Sequence, residues 1–233
     1  MPVWLITGAS KGIGLGFVQA LALDPENAVL ATCRTPAEAT ELQAIATASE
    51  DLINVVQLDH EKPESCQQAA TEAEDLLGEL PIDYIINNAA FHPGHAPLAS
   101  VSLPLFERTL VSNVVGPTLV YQTFHRFLMK SDRPVVANIS SGAGSIGMDL
   151  GPSAGAYSVS KAALNMLTYK LARENPKAII VSISPGWVKT EMGGPGAQIE
   201  VADSVKSMLR LIQGLRPEDS GLFLNREGKP LPY

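Results

Sequence analysis

The sequence predicts a doubly wound α/β fold, with a parallel sheet of about seven strands and helices on both faces. Two observations carry the prediction. Short apolar, β-prone runs alternate along the whole chain with longer stretches whose apolar residues recur at helical spacing, the pattern of βαβ units. The first apolar run also ends in a cluster of glycines, where a strand would give way to a helix, and in such sheets ligands bind beyond the carboxyl ends of the strands.

The elements follow in order. Val3–Thr7 (VWLIT) is the first apolar run and stops at Gly8. A helical pattern begins near Gly12, with Ile13, Phe17, Leu21 and Leu23 along one side. Ala28–Thr32 and Ile53–Leu58 are further strands, separated by an alanine- and glutamate-rich helix over Pro36–Ser49. Glu64–Leu77 reads as a helix, Tyr84–Asn87 as a strand, Leu103–Met129 as one long helix and Pro134–Ser140 as a strand. A helix carrying Tyr157 follows, then a strand at Ala178–Ser184, a helix at Val201–Gln213 and a last short strand at Gly221–Leu224. With no repeat, low-complexity segment or linker, residues 1–233 are expected to form a single domain.

Composition narrows the function. The 45% apolar content supports a sizeable core, while a net charge of −7 and no Lys/Arg-rich run argue against nucleic acid as a partner. Cys33 and Cys66 lie far apart without metal-type spacing, as expected of reduced thiols in a cytoplasmic protein. No apolar run is long enough to span a bilayer, so no membrane partner is expected. His92, His95 and His125 have no carboxylate or cysteine suitably spaced beside them, and no metal site is expected.

Chemistry concentrates in Gly155–Lys161 (GAYSVSK), where Tyr157 and Lys161 stand four apart on one helical face. A neighbouring cation favours a phenolate, which would bring the phenol nearer to useful acid–base range. The bland alternative is an ordinary surface pair. Thr7–Gly14 (TGASKGIG) places Gly8, Gly12 and Gly14 at the first strand–helix junction. Its spacing matches neither the usual dinucleotide fingerprint nor the P-loop, yet its position suits a pyrophosphate at a helix N-terminus. Arg34 follows the second strand where an NAD-binding unit would carry a carboxylate. With Lys11 in the glycine loop it offers two cations for a 2′-phosphate, which favours NADP (NADPH) over NAD.

Taken together, TGASKGIG, Asn87–Ala90 (NNAA), Asn113 in SNVVG, Asn138–Ser141 (NISS), Tyr157–Lys161 and Pro185–Gly186 with Thr190 resemble, in order, the motifs of the short-chain dehydrogenase/reductase family. The resemblance is to its compact, Rossmann-fold, carbonyl-reductase-type branch. It implies that Tyr157 is the proton donor and that Lys161 lowers its pKa and binds the nicotinamide ribose. Ser141 would hold the substrate oxygen, with Ser140 and Ser145 as other candidates. Asn113 would bind a water linking Lys161 to solvent. The implied cofactor contacts are Gly8, Ser10, Lys11, Gly12, Ile13, Gly14, Arg34, Asp59, His60, Asn88, Ala89, Tyr157, Lys161, Pro185, Gly186, Val188 and Thr190.

Asp59 could contact adenine or cap the helix that follows, and His60 replaces an expected apolar residue. Ala90 replaces the motif's last glycine and should be tolerated. The segment Met148–Ala154 should lengthen a loop beside the substrate. Phe91, Met148, Leu150, Trp187 and Met192 would wall the site, with Glu191–Val201 as a flap, which suits a small hydrophobic carbonyl or alcohol. A homodimer or homotetramer is expected through the Asn113 and Tyr157 helices. The activity implied is reversible NADPH-dependent reduction of an aldehyde or ketone. The alternatives are a ketoreductase tailoring a secondary metabolite, and a non-catalytic NADP-binding regulator.

Overall fold

The computed structural model describes residues 1–233. Seven strands form one parallel sheet: β1 (Val3–Thr7), β2 (Ala28–Cys33), β3 (Ile53–Gln57), β4 (Tyr84–Asn87), β5 (Val135–Ile139), β6 (Ile179–Ser184) and β7 (Phe223–Asn225). Their order is β3-β2-β1-β4-β5-β6-β7, with every pairing parallel. The order reverses between β1 and β4, so a crevice opens where the connections after these two strands diverge to opposite sides.

Seven α-helical segments cover the sheet: α1 (Gly12–Leu21), α2 (Thr40–Ala48), α3 (Pro63–Leu77), α4 (Leu103–Leu110), α5 (Gly116–Leu128), α6 (Gly155–Glu174) and α7 (Val201–Gly214). Strand side chains alternate between two buried layers, as a sheet covered on both faces requires. Trp4 and Ile6 of β1 join Phe17 of α1, Leu42 of α2 and Met208 of α7. Val3 and Leu5 join Ala69 of α3 and Phe124 of α5 on the other face. No helix is long and apolar enough to cross a membrane.

Three local expectations need correction. Leu23 is not on the buried face of α1, which ends at Leu21; its side chain is 86% exposed. The stretch Pro36–Ser49 is not one helix. A 3-10 turn at Pro36–Glu38 is separated from α2 by Ala39, whose backbone leaves helical geometry and whose methyl is buried. The span Leu103–Met129 is helical but not uniformly so, because a π-turn at Val111–Val115 joins α4 to α5.

Pro117 explains why that turn is needed. It has no N–H, so neither the Asn113 carbonyl four residues back nor the Ser112 carbonyl five back can be paired by it. The imidazole of His60 supplies the missing donor, with Nε2 at 2.9 Å from the Ser112 oxygen. Gly116 makes the room, since a Cβ there would lie 2.0 Å from His60 Cδ2.

Candidate active site

The sequence-selected residues converge at the carboxyl ends of the strands. The glycine loop follows β1, Arg34 follows β2, Asp59 and His60 follow β3, and Asn88–Phe91 follow β4. Ser141 follows β5, Tyr157 and Lys161 stand in the first turns of α6, and Pro185–Thr190 follow β6.

Tyr157 is half-buried and Lys161 fully buried. The lysine Nζ donates to the Ile139 carbonyl at 2.8 Å and lies 5.5 Å from the centre of the Tyr157 ring. Burial pushes the lysine down to about 7. It pushes the phenol up to about 12, against a hydrogen bond from Ser141 that pulls the other way. The balance therefore differs from the sequence expectation. Desolvation dominates the phenol, and the opposing influence comes from Ser141 rather than from the lysine.

The three serines separate cleanly. Ser140 is buried and donates to Asn165 Oδ1 at 2.7 Å, while Ser145 donates to the Pro232 carbonyl at 2.6 Å. Of the three, Ser141 is the one whose hydroxyl draws the Tyr157 phenol down; its Oγ accepts from the Ala143 N–H at 3.1 Å, which leaves its own proton to give. The loop that follows folds back beside it. Met148 and Leu150 approach Gly142 closely enough to touch a Cβ there.

Asn113 does more bracing than the sequence suggested. Its Oδ1 accepts from the Phe91 N–H at 2.8 Å, and its Nδ2 donates to the Phe91 carbonyl and to Ser160 Oγ, each at 2.9 Å. Both amide hydrogens are thus committed, and the second lone pair of Oδ1 is what the side chain has left to offer a water. Ser160 in turn donates to the Tyr157 carbonyl at 2.7 Å. The amide fixes the loop after β4 and α6 relative to the π-turn.

At the glycine loop, Asn88 Nδ2 donates to the carbonyls of Thr7 and Gly8 at 2.9 and 3.2 Å. Thr7 Oγ1 accepts from the N–H groups of Asn88 and Ala89, each at 3.0 Å. This latch requires Gly14, where a Cβ would lie 2.2 Å from the Gly8 carbonyl oxygen and 2.6 Å from Asn88 Nδ2. Ser10, Ile13 and Ala89 are each partly accessible around it. No side chain caps the N-terminus of α1, so its first N–H groups are free to bind an anion. Ala90 has no positive φ, so its methyl carries no backbone strain.

The two predicted phosphate cations part company. Arg34 is exposed and in no ion pair, whereas Lys11 reaches Glu191, joining the glycine loop to the segment after Thr190. Asp59 does not provide the cap of α3, which falls to Lys62; its Oδ1 accepts from the Glu61 N–H at 3.2 Å. Thr190 lies over Gly12, and its Oγ1 accepts from the Gly193 N–H at 3.0 Å. Gly186 adopts a positive φ of 83°, Val188 pairs with Ile199, and the Pro185 carbonyl accepts from Ser204 Oγ.

Sequence reasoning missed Thr7, Ser160 and the use of His60. A threonine ending the strand before a glycine loop was the one readable signal. His92 packs on the Tyr157 ring with centres 4.5 Å apart, whereas His125 lies on α5 edge-on to Tyr121.

A sequence profile of the short chain dehydrogenases matches residues 2–198. The chain belongs to the short-chain dehydrogenase family. Its whole length superimposes on all of carbonyl reductase Sniffer of D. melanogaster, with a TM-score of 0.95 at 30% identity. The NADPH-bound carbonyl reductase from chicken fatty liver gives a TM-score of 0.93 at 34% identity, covering 100% of this chain and 94% of that one. The norsolorinic acid ketoreductase of Aspergillus parasiticus is 30% identical over 247 residues, covering 99% of this chain and 91% of its own length.

Proposed function

We propose that this protein is a single-domain NADPH-dependent reductase of aldehydes or ketones, reversible as an alcohol dehydrogenase. One observation carries the reading: the Ser141 hydroxyl acts on the Tyr157 phenol beside a buried Lys161, at the same strand ends as the glycine loop. Relatives named as carbonyl reductases, one of them NADPH-bound, support it.

The residues present fit a nicotinamide dinucleotide. The uncapped α1 N-terminus and glycine loop suit its pyrophosphate, and the free Arg34 guanidinium suits a 2′-phosphate, which favours NADP over NAD. Asp59, His60, Asn88 and Ala89 follow β3 and β4 at the same strand ends, and we assign Pro185, Gly186, Val188 and Thr190, after β6, to its nicotinamide end. When bound, the cofactor supplies the hydride.

The protein's part is the proton and the oxygen. A phenol pushed up to about 12 is protonated at neutral pH, the form needed to donate to an alkoxide. The Ser141 hydroxyl donates to the same oxygen as negative charge grows on it. Lys161, poised at about 7, exchanges its proton readily and can restore the phenol. Asn113 acts by bracing, holding Phe91 and α6 in register. Exposed Met148, Leu150, Trp187 and Met192 suit an apolar substrate.

The test is NADPH oxidation across aldehydes, ketones and quinones by wild type and Tyr157→Phe. A loss of about 10²–10⁴-fold is expected, the usual worth of a positioned general acid. Equal background rates in both proteins across the panel would favour the cofactor-binding regulator instead. Exposed Leu103 at the start of α4, Val115 in the π-turn, and Val159 and Met166 on α6 support self-association through these helices. Sedimentation of the wild type as a monomer would count against it.

A further inference from the structure

We infer that His92 is a specificity-determining residue: its Nε2–H hydrogen-bonds a second acceptor on the substrate, beside the carbonyl reduced at Tyr157. Carbonyl compounds with a neighbouring oxygen or nitrogen lone pair are then favoured over otherwise matched ones. The inference rests on the reductase reading above.

The imidazole is held from both sides. Phe91, next in the chain, has its N–H and carbonyl clamped by the Asn113 amide at 2.8 and 2.9 Å. On the other side, Pro93 restricts the backbone and Gly94, at φ 93°, turns its N–H onto His92 Nδ1 at 3.1 Å. That bond decides the tautomer. An Nδ1 that accepts a hydrogen bond carries no proton, so the neutral ring carries it on Nε2.

Nε2 has no hydrogen-bond partner within the protein. It belongs to a ring whose centre is 4.5 Å from that of Tyr157, tilted 38°. A substrate whose carbonyl oxygen reaches the phenol has its adjacent substituents within reach of an imidazole packed on that same ring. Burial first, and then the neighbouring His95, with ring centres 5.0 Å apart, hold His92 below its ordinary pKa. It therefore acts at neutral pH as a neutral donor rather than as a cation. A plain aromatic wall would need the ring but not the turn at Gly94 that fixes its proton.

The experiment compares phenylpropanedione with propiophenone, which differ by one carbonyl, at saturating NADPH. His92→Phe keeps an aromatic ring and removes the donor; His92→Gln keeps a donor without the ring. The expected result is a kcat/KM about tenfold lower for the dione in His92→Phe, the scale of one lost hydrogen bond. Propiophenone should stay within about twofold, and His92→Gln should recover most of the dione rate. Equal losses on both substrates, no loss on either, or a Gln variant as slow as Phe overturns the inference.

Binding gives a readout independent of turnover. In a Tyr157→Phe background loaded with NADPH, calorimetric titration of the dione should show about tenfold weaker affinity when His92→Phe is added. Unchanged affinity overturns the inference. Should wild type and Tyr157→Phe turn over the dione equally, the reductase reading fails, and this titration still decides the hydrogen bond.

Discussion

Replacing Asn113 by alanine should destabilise the fold and slow turnover together. The substitution removes an acceptor for the Phe91 N–H and donors to the Phe91 carbonyl and Ser160 Oγ. Phe91 is half-buried, so each of its orphaned groups falls at the lower end of the 1–3 kcal/mol range for an unmade hydrogen bond. Ser160 keeps its own bond to the Tyr157 carbonyl and loses less. The sum is about 2–4 kcal/mol, and at about 2–4 °C per kcal/mol the midpoint should fall by roughly 5–15 °C.

Losing the tie between Phe91 and Ser160 also lets α6, and Tyr157 with it, shift against the loop after β4, so a loss in kcat of about hundredfold is expected from misplacement alone. Asn113→Asp refines the argument. Its carboxylate still accepts from the Phe91 N–H but aims a second oxygen at the Phe91 carbonyl. It should cost at least as much as alanine at neutral pH. The deficit relative to wild type should shrink as acid protonates the carboxyl and restores a donor. Circular-dichroism melts and NADPH turnover, measured on the same preparations, provide the check. A melting temperature unchanged in Asn113→Ala alongside lost activity would refute the bracing role and return the residue to a direct part in proton transfer.

Three further outcomes follow from the same geometry. Arg34→Ala should weaken NADPH about tenfold to hundredfold, the worth of a charge-assisted hydrogen bond, and leave NADH unchanged; equal losses for both cofactors would contradict the phosphate role. Gly116→Ala should cost about 1–3 kcal/mol through its clash with His60. Combined with His60→Ala in a double-mutant cycle, its cost should be less than additive; full additivity would refute the contact. Alcohol oxidation needs the phenolate, and the phenol is raised from about 10 to about 12. Its rate should therefore climb about tenfold per pH unit between 7 and 9, while reduction shows no loss from Tyr157 over that range. An oxidation limb that levels off near pH 7 would place the phenol far below that value.

The sheet was legible because both its faces are covered. Runs such as VWLIT and AIIVSIS could not be anything but central strands once helical stretches separated them. The candidate site was legible wherever chemistry asks for a residue type at a strand end, as at Ser141, Tyr157 and Arg34, which the fold brings to the same edge of the sheet. Three features escaped, each for a physical reason. Leu23 fits the helical period, but periodicity does not reveal that α1 ends two residues earlier. The cation–phenol argument weighed charge without burial, and desolvation proved larger. Lys11 read as a free cation because its partner, Glu191, lies 180 residues away in the sequence.

Asn113, Pro117 and His60 look unrelated in the sequence, yet they solve one problem. The loop after β4 must be held against α6, and an amide deep inside a helix can do this only if the helix widens enough to present it. A proline four residues on removes the donor that would keep the turn regular, and widening leaves the Ser112 carbonyl in need of a partner. The imidazole that answers it comes from the turn after β3, beside Asp59. The π-turn is therefore a joint between the turn after β3 and, through Asn113, the loop after β4 and α6. An apolar residue at position 60 would satisfy the packing but leave that joint one hydrogen bond short.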